Sequence, residues 1–177
     1  MRWLWATHSV HHSPNELNLA AAYRLGWTQR LSAGPVFFAP LVLLGFAPVI
    51  VGAALGLNLL YQFWLHAPWM PRLGPLEWVL NTPAHHRLHH ASNPEYLDSN
   101  FGGVLIVFDR CFGSFRQERA DVPPRYGLVE PMSSYNPFVI GSHEWIAIAR
   151  DALSSRSLGC LIDNILGPPR SGRSLVP

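Results

Sequence analysis

The sequence predicts an all-α fold: a membrane-embedded helical bundle with an apolar hairpin and a histidine-rich helical cap. Three observations carry that class. Leu31 to Pro71 runs forty-one residues without a charged side chain, and a helix needs roughly 20 apolar residues to cross a bilayer core. Only 14% of the residues are charged, against roughly 25% in soluble globular domains. The spacing H-x-x-H-H occurs twice, once on each side of the apolar stretch.

Met1 to His12 reads as a helix that Pro14 stops. Ser13 then has the look of an N-cap, with Pro14 at the first helical position and Glu16 three residues after the cap, so a second helix is expected to about Leu25, ending at Gly26. The apolar stretch divides at Leu44-Gly45-Phe46-Ala47-Pro48, which gives a hairpin of helices near 32–44 and 48–66. A proline-rich connection and a short helix carrying Leu76, Trp78 and Val79 follow. Thr82 caps and Pro83 starts the histidine-rich turn, which ends before Pro94. Beyond Gly103, Val104, Leu105, Val107, Phe108, Cys111 and Phe112 form one helix face, with Asp109 and Arg110 outside it. Residues 121–177 form a C-terminal extension with one amphipathic helix near 142–153 and a disordered tail from Gly167, attached to a core at 1–120.

Several function classes drop out at this level. The 13 basic residues are all arginine and form no run, so the stripe that marks a nucleic-acid partner is missing. Cys111 and Cys160 stand far apart in no metal spacing and read as buried free thiols. No E-x-x-H pair occurs, which excludes the carboxylate-bridged di-iron bundle.

Histidine remains. On a helix, positions i, i+3 and i+4 share a face, so His8/His11/His12 and His86/His89/His90 each aim three imidazoles at one point. Neutral imidazole ligates iron, zinc, copper and nickel alike. His66, at the end of the second apolar helix, is the seventh candidate, with Gln62 one turn before it. His85 is less well aimed and reads as an outer residue, and His143 as an exposed helix-start residue. Glu16, Glu95, Asp98 and Asp109 are available to orient the rings. A hairpin returns both clusters to one side of the bilayer, where they can share metals; a single crossing would part them.

The segments HSVHHSPNELN, YQFWLH and TPAHHRLHHASNPEYLDSNFGGVLIVFDRCFGSF closely resemble the fatty acid hydroxylase, or sterol desaturase, superfamily, and within it the alkylglycerol monooxygenase-like bacterial branch. The resemblance implies an integral membrane helical fold with a histidine-bound di-iron centre facing the cytosol. Its metal ligands here are His8, His11, His12, His66, His86, His89 and His90, with zinc as a substitute ion. The implied reaction is O2-dependent hydroxylation or desaturation of a fatty acyl, sterol or alkyl-glycerol lipid. Electrons come from a cytochrome or ferredoxin reductase or from a reduced pterin. The resemblance also makes Asn93 to Gly103 a structural loop against the metal helices.

One departure accompanies the match. The family carries an earlier H-x(3 or 4)-H box on a preceding transmembrane helix, and only seven residues precede His8. The expectation is therefore the C-terminal part of such an enzyme. The alternative is a catalytically inactive membrane protein that holds one zinc or iron through the remaining boxes.

Overall fold

The charge-free stretch folds as a helical hairpin. In the structure, a computed structural model that describes residues 1–32 and 34–169, α2 (Gly34–Leu43) and α3 (Pro48–Leu65) are joined by a turn. Gly45 takes φ +99° there, where a side chain would be strained, and Pro48 opens α3 at its first position. The 18 residues of α3 have a mean hydropathy of 1.5 and rise about 27 Å, close to the roughly 30 Å of a bilayer core. α3 is thus long and apolar enough to cross a membrane, and only 11% of it is buried inside the protein. α2 is shorter, at 10 residues, and contains Pro40.

The cap is built from α1 (Arg2–His12) and α4 (Pro83–His89), with short 3-10 turns between. The sequence expectation fails after α1. Ser13 closes that helix instead of opening another: its hydroxyl donates to the Val10 carbonyl at 2.7 Å. A serine hydroxyl that finds a carbonyl three residues back competes with its own capping role. Asn18 does the capping, accepting from Ala20 N and Ala21 N at the start of a 3-10 turn, Leu19–Tyr23. Thr82 holds the N-cap position of α4 without a capping bond; its hydroxyl donates to Glu77 at 3.0 Å.

α4 is pinned to the end of α3. Tyr61 OH donates to the Asn81 carbonyl at 2.6 Å. Gly103 sits so close that a Cβ would meet Asn58 Oδ1 at 2.8 Å and Gln62 Nε2 at 2.9 Å. Beneath α4, Leu88, Ala91 and Tyr96 form a small apolar core.

The C-terminal segment holds two helices, α6 (Pro137–Leu153) and α7 (Leu158–Leu166), after a short α5 (Val107–Phe112). α6 begins earlier than the apolar periodicity indicated, because Asn136 caps it and Pro137 takes its first position. It folds back on α1. Arg2, 3% exposed, donates through Nε to Glu144 at 2.9 Å and through Nη1 to Asp151 at 2.5 Å, and its backbone N–H donates to the Gly167 carbonyl at 2.7 Å. The expected disordered tail lies largely at 170–177, outside the described residues. Both cysteines are free but exposed, not buried: Cys111 sits on the outer side of α5, whose buried residue is Asp109.

Candidate metal centre

α1, α4 and the end of α3 bring all seven candidate histidines together, in a division that the spacing did not show. His11, His66, His86 and His90 form one group, all four buried, and His8, His12 and His89 form a second. Neither H-x-x-H-H box aims at a single point. Each box splits: an i, i+4 pair goes to one group and the intervening residue to the other. α1 gives His8 and His12 to the second group and His11 to the first; α4 gives His86 and His90 to the first and His89 to the second. The two helices face each other, so a ring one position earlier on its helix turns toward the opposite group. The groups adjoin, with the His12 and His90 rings stacked at 4.3 Å.

Hydrogen bonds set the rings. His66 Nδ1–H donates to the Gln62 carbonyl at 2.9 Å, and His89 Nδ1–H to the Ser99 carbonyl at 3.0 Å. A carbonyl only accepts, so both rings carry the proton on Nδ1 and present a lone pair at Nε2. In the first group, His66 Nε2 lies 3.1 Å from His11 Nε2 and 3.2 Å from His86 Nε2, and His90 Nε2 lies 3.1 Å from His86 Nε2. Nitrogens about 2.05 Å from a common tetrahedral centre stand roughly 3.3 Å apart. Three pairs of the first group stand near that separation and all four nitrogens lie within 4.8 Å of one another, so the group can hold a cation between four imidazoles, and the second offers three ligands and an open side.

The loop after α4 fixes His89. Asn93, Tyr96, Ser99 and Asn100 are buried in it. Asp98 and Asn100 adopt φ of 52° and 53°, a left-handed geometry that Asn and Asp tolerate best among residues with a side chain. Asp109 organises the far end: Oδ1 accepts from Phe101 N at 2.8 Å and Ser114 Oγ at 2.6 Å, and Oδ2 from Gly102 N at 2.8 Å. The periodicity placed Asp109 outside the apolar face, yet it is 3% exposed. A lone acid inside the apolar run VFDRCF was the signal for it. His85, by contrast, belongs to neither group and packs on Phe115 at 5.3 Å. His143 lies in the second turn of α6, half-buried, with its ring on the Ile140 carbonyl at 2.7 Å.

Burial and mutual repulsion keep the cluster neutral. Desolvation, and then the neighbouring rings, push His11 down to about 4 and hold His12, His86 and His90 well below the ordinary histidine value. His66 and His89 move the same way, with burial as the leading cause. His8 shifts downward too, by burial first; it is exposed at the edge of the second group, and solvent there moderates the effect. Neutral imidazoles are the form that ligates metal.

A cavity of about 160 Å³ opens against the second group, where Trp5, Leu97, Phe101, Leu128 and Val129 give apolar walls beside His12 and His89. Trp5 lies tilted against His12, ring centroids 5.3 Å apart, and with Leu128 and Val129 also lines a cavity of about 250 Å³. Neither Trp5 nor Ser99 was evident as a site residue from spacing.

A histidine-walled centre on helices beside an apolar hairpin defines a class, and the chain falls in it. Residues 1–114 match the fatty acid hydroxylase family, and the chain belongs to that family. It is 42% identical over 137 residues to alkylglycerol monooxygenase of Xenopus tropicalis, covering 77% of this chain and 30% of that protein. It is 41% identical over 145 residues to alkylglycerol monooxygenase of Homo sapiens, covering 82% and 32%. Ornithine lipid hydroxylase of Rhizobium tropici is 31% identical over 123 residues, covering 69% and 35%. The chain spans about a third of the length of these curated relatives. No solved structure matches it.

Proposed function

We propose that this chain carries the histidine centre of a membrane-embedded, iron-dependent lipid hydroxylase, with α3 crossing the bilayer and the cap on the cytosolic side. The observation that carries the reading is the pair of adjoining imidazole groups, four and three, at the foot of an apolar helix. Iron held there supplies the redox chemistry of dioxygen. Per alcohol formed, one dioxygen, two electrons and two protons are consumed, and the second oxygen leaves as water. The electrons come from a cytochrome or ferredoxin reductase or from a reduced pterin.

The protein's own part is positional. His66 and His89, locked by the Gln62 and Ser99 carbonyls, present fixed lone pairs. The first group, buried and closed by four rings, excludes water, while the second opens on the apolar cavity where Trp5, Leu97 and Phe101 accept the lipid group to be oxidised. The relatives' names support a lipid substrate of the alkyl-glycerol or acyl-lipid type.

The first group alone also suits a structural zinc, because four imidazoles on one ion leave no open position. Metal analysis of the protein extracted from membranes, joined to lipid oxidation under a reductant, separates the two. About two irons per chain and an oxidised lipid that His89→Ala abolishes support the hydroxylase. A single zinc with no oxidation supports the structural site, and oxidation that survives His89→Ala refutes the role given to the second group.

A further inference from the structure

On the far side of α4 from the imidazole groups lies a cavity of about 350 Å³, walled chiefly by Arg72, Glu77, Trp78, His85, Arg110 and Phe115. That size sits at the lower end of small-molecule pockets, roughly 300–1,000 Å³. The Arg110 guanidinium lies between two rings, 4.7 Å from the Trp78 centroid and 3.7 Å from that of Phe115. Its Nη2 donates to the Glu77 carbonyl at 3.1 Å, and its Nε is buried without an acceptor. Among the described residues no carboxylate pairs with it.

His85 stands in the same wall, 4% exposed, with the Leu80 backbone carbonyl beside its ring. The Glu77 carboxylate is turned mainly elsewhere: Oε1 accepts from Leu73 N at 2.9 Å and Thr82 Oγ at 3.0 Å, and Oε2 stands 3.9 Å from His85 Nε2. Glu118 is engaged by Arg87 at 2.8 Å, with Arg72 at 4.0 Å. A cavity with an arginine that no carboxylate pairs with, its buried Nε lacking an acceptor, and a second, exposed arginine is built for an anion rich in oxygen.

Its rim says where that anion comes from. Leu76, Trp78 and Val79 on one side and Phe108 and Phe112 on the other are each more than half exposed. A bridge between Leu80 and Leu105, and the bond from Ile106 N to the Val79 carbonyl, join the two strips into one apolar face. That face is attached to the last turns of α3 through Tyr61 on Asn81 and Gly103 against Asn58 and Gln62. It is continuous with the last turns of the helix that is long and apolar enough to cross a bilayer.

We propose that this cavity binds the phosphate of an anionic phospholipid, with Arg110 and Arg72 as its cations, while the Leu76–Trp78–Phe112 rim rests in the acyl boundary. The proposal rests on the reading of α3 as a membrane span, which alkaline carbonate extraction of the wild-type chain tests separately: release into the soluble fraction refutes the span.

The test is native mass spectrometry of the full chain in detergent, counting phosphatidylglycerol and phosphatidylcholine retained per chain. One phosphatidylglycerol retained in preference to phosphatidylcholine is expected. Arg72→Gln, at a side chain 47% exposed, should weaken retention roughly fivefold, and Arg110→Gln by more. Metal content reports the fold of both variants independently; if Arg110→Gln loses it, Arg72→Gln alone decides. Unchanged retention in Arg72→Gln, no preference over phosphatidylcholine, or full displacement by millimolar inorganic phosphate each overturns the lipid assignment, the last by making this a free-phosphate site.

Discussion

Replacing Asp109 with asparagine should loosen one imidazole group and spare the other. The carboxylate accepts three hydrogen bonds, from Phe101 N, Gly102 N and Ser114 Oγ. An amide of the same shape keeps one oxygen, which continues to serve Phe101 and Ser114. Its NH2 then faces Gly102 N–H, so a donor meets a donor. One buried donor left unsatisfied costs about 1–3 kcal/mol, and the two remaining bonds lose their charge assistance. The strain falls on residues 99–102, where Ser99 holds His89 by its Nδ1 at 3.0 Å. Removing support one step behind a ligand typically weakens metal binding 10–100-fold, which is about 1.4–2.7 kcal/mol. Among the described residues no hydrogen bond joins the rings of His11, His66, His86 or His90 to this loop end, and they should hold their metal unchanged. The assay is metal retained per chain against a graded chelator, wild type beside Asp109→Asn. One ion should leave early and one at the wild-type concentration. If both leave together, or neither shifts, Asp109 does not act through His89.

Arg2→Met removes the buried cation from Glu144 and Asp151; breaking such a pair costs about 3–5 kcal/mol, and the partly exposed carboxylates place this case near 3 kcal/mol. The thermal midpoint should fall by roughly 6–12 °C, and a fall under a degree would mean that α6 does not anchor α1. Acid should strip the centre. Histidines in the unfolded chain bind protons below about 6.5, whereas His11 in the fold does so only near 4 and His12, His86 and His90 lower still. Between these values the unfolded state holds more protons, so stability is full above 6.5 and declines as pH falls. Thermal midpoints equal at pH 8 and pH 5 would contradict a neutral buried cluster. Neighbouring substitutions should also part company: His86→Ala should lose a metal, while His85→Ala, one residue earlier, should keep wild-type metal content.

The parts of this molecule that were legible in the sequence are those fixed by local chemistry. A charge-free run, Gly45 and Pro48 specify the hairpin, and Pro83 specifies the start of α4, because backbone freedom decides both. Six of the seven clustered histidines were legible from i, i+3, i+4 spacing, and His66 from its place at the end of an apolar helix. Their division into four and three was not, since it depends on how α1 is rotated against α4, which no single helix encodes. Asp109 was misplaced for a related reason. A helical face counts apolar residues, whereas this acid is buried by two N–H donors from a loop seven and eight residues earlier and by the hydroxyl of Ser114. Ser13 misled because the same hydroxyl can end one helix or begin the next, and the carbonyl of Val10 was nearer.

The helices that carry ligands and the helices that hold them still lie in different stretches of chain. The family match stops at residue 114, and every histidine of the cluster falls before it. Yet Arg2 at the head of α1 is gripped by Glu144, Asp151 and the carbonyl of Gly167. Leverage therefore enters from the side that looks dispensable: a tilt of α6 by a few degrees moves His8, His11 and His12 as one rigid bar. A substitution after residue 120 that shifts α6 is then a tuning screw on the spacing between the rings of α1 and those of α4 inside both groups, turned without touching a single ligand.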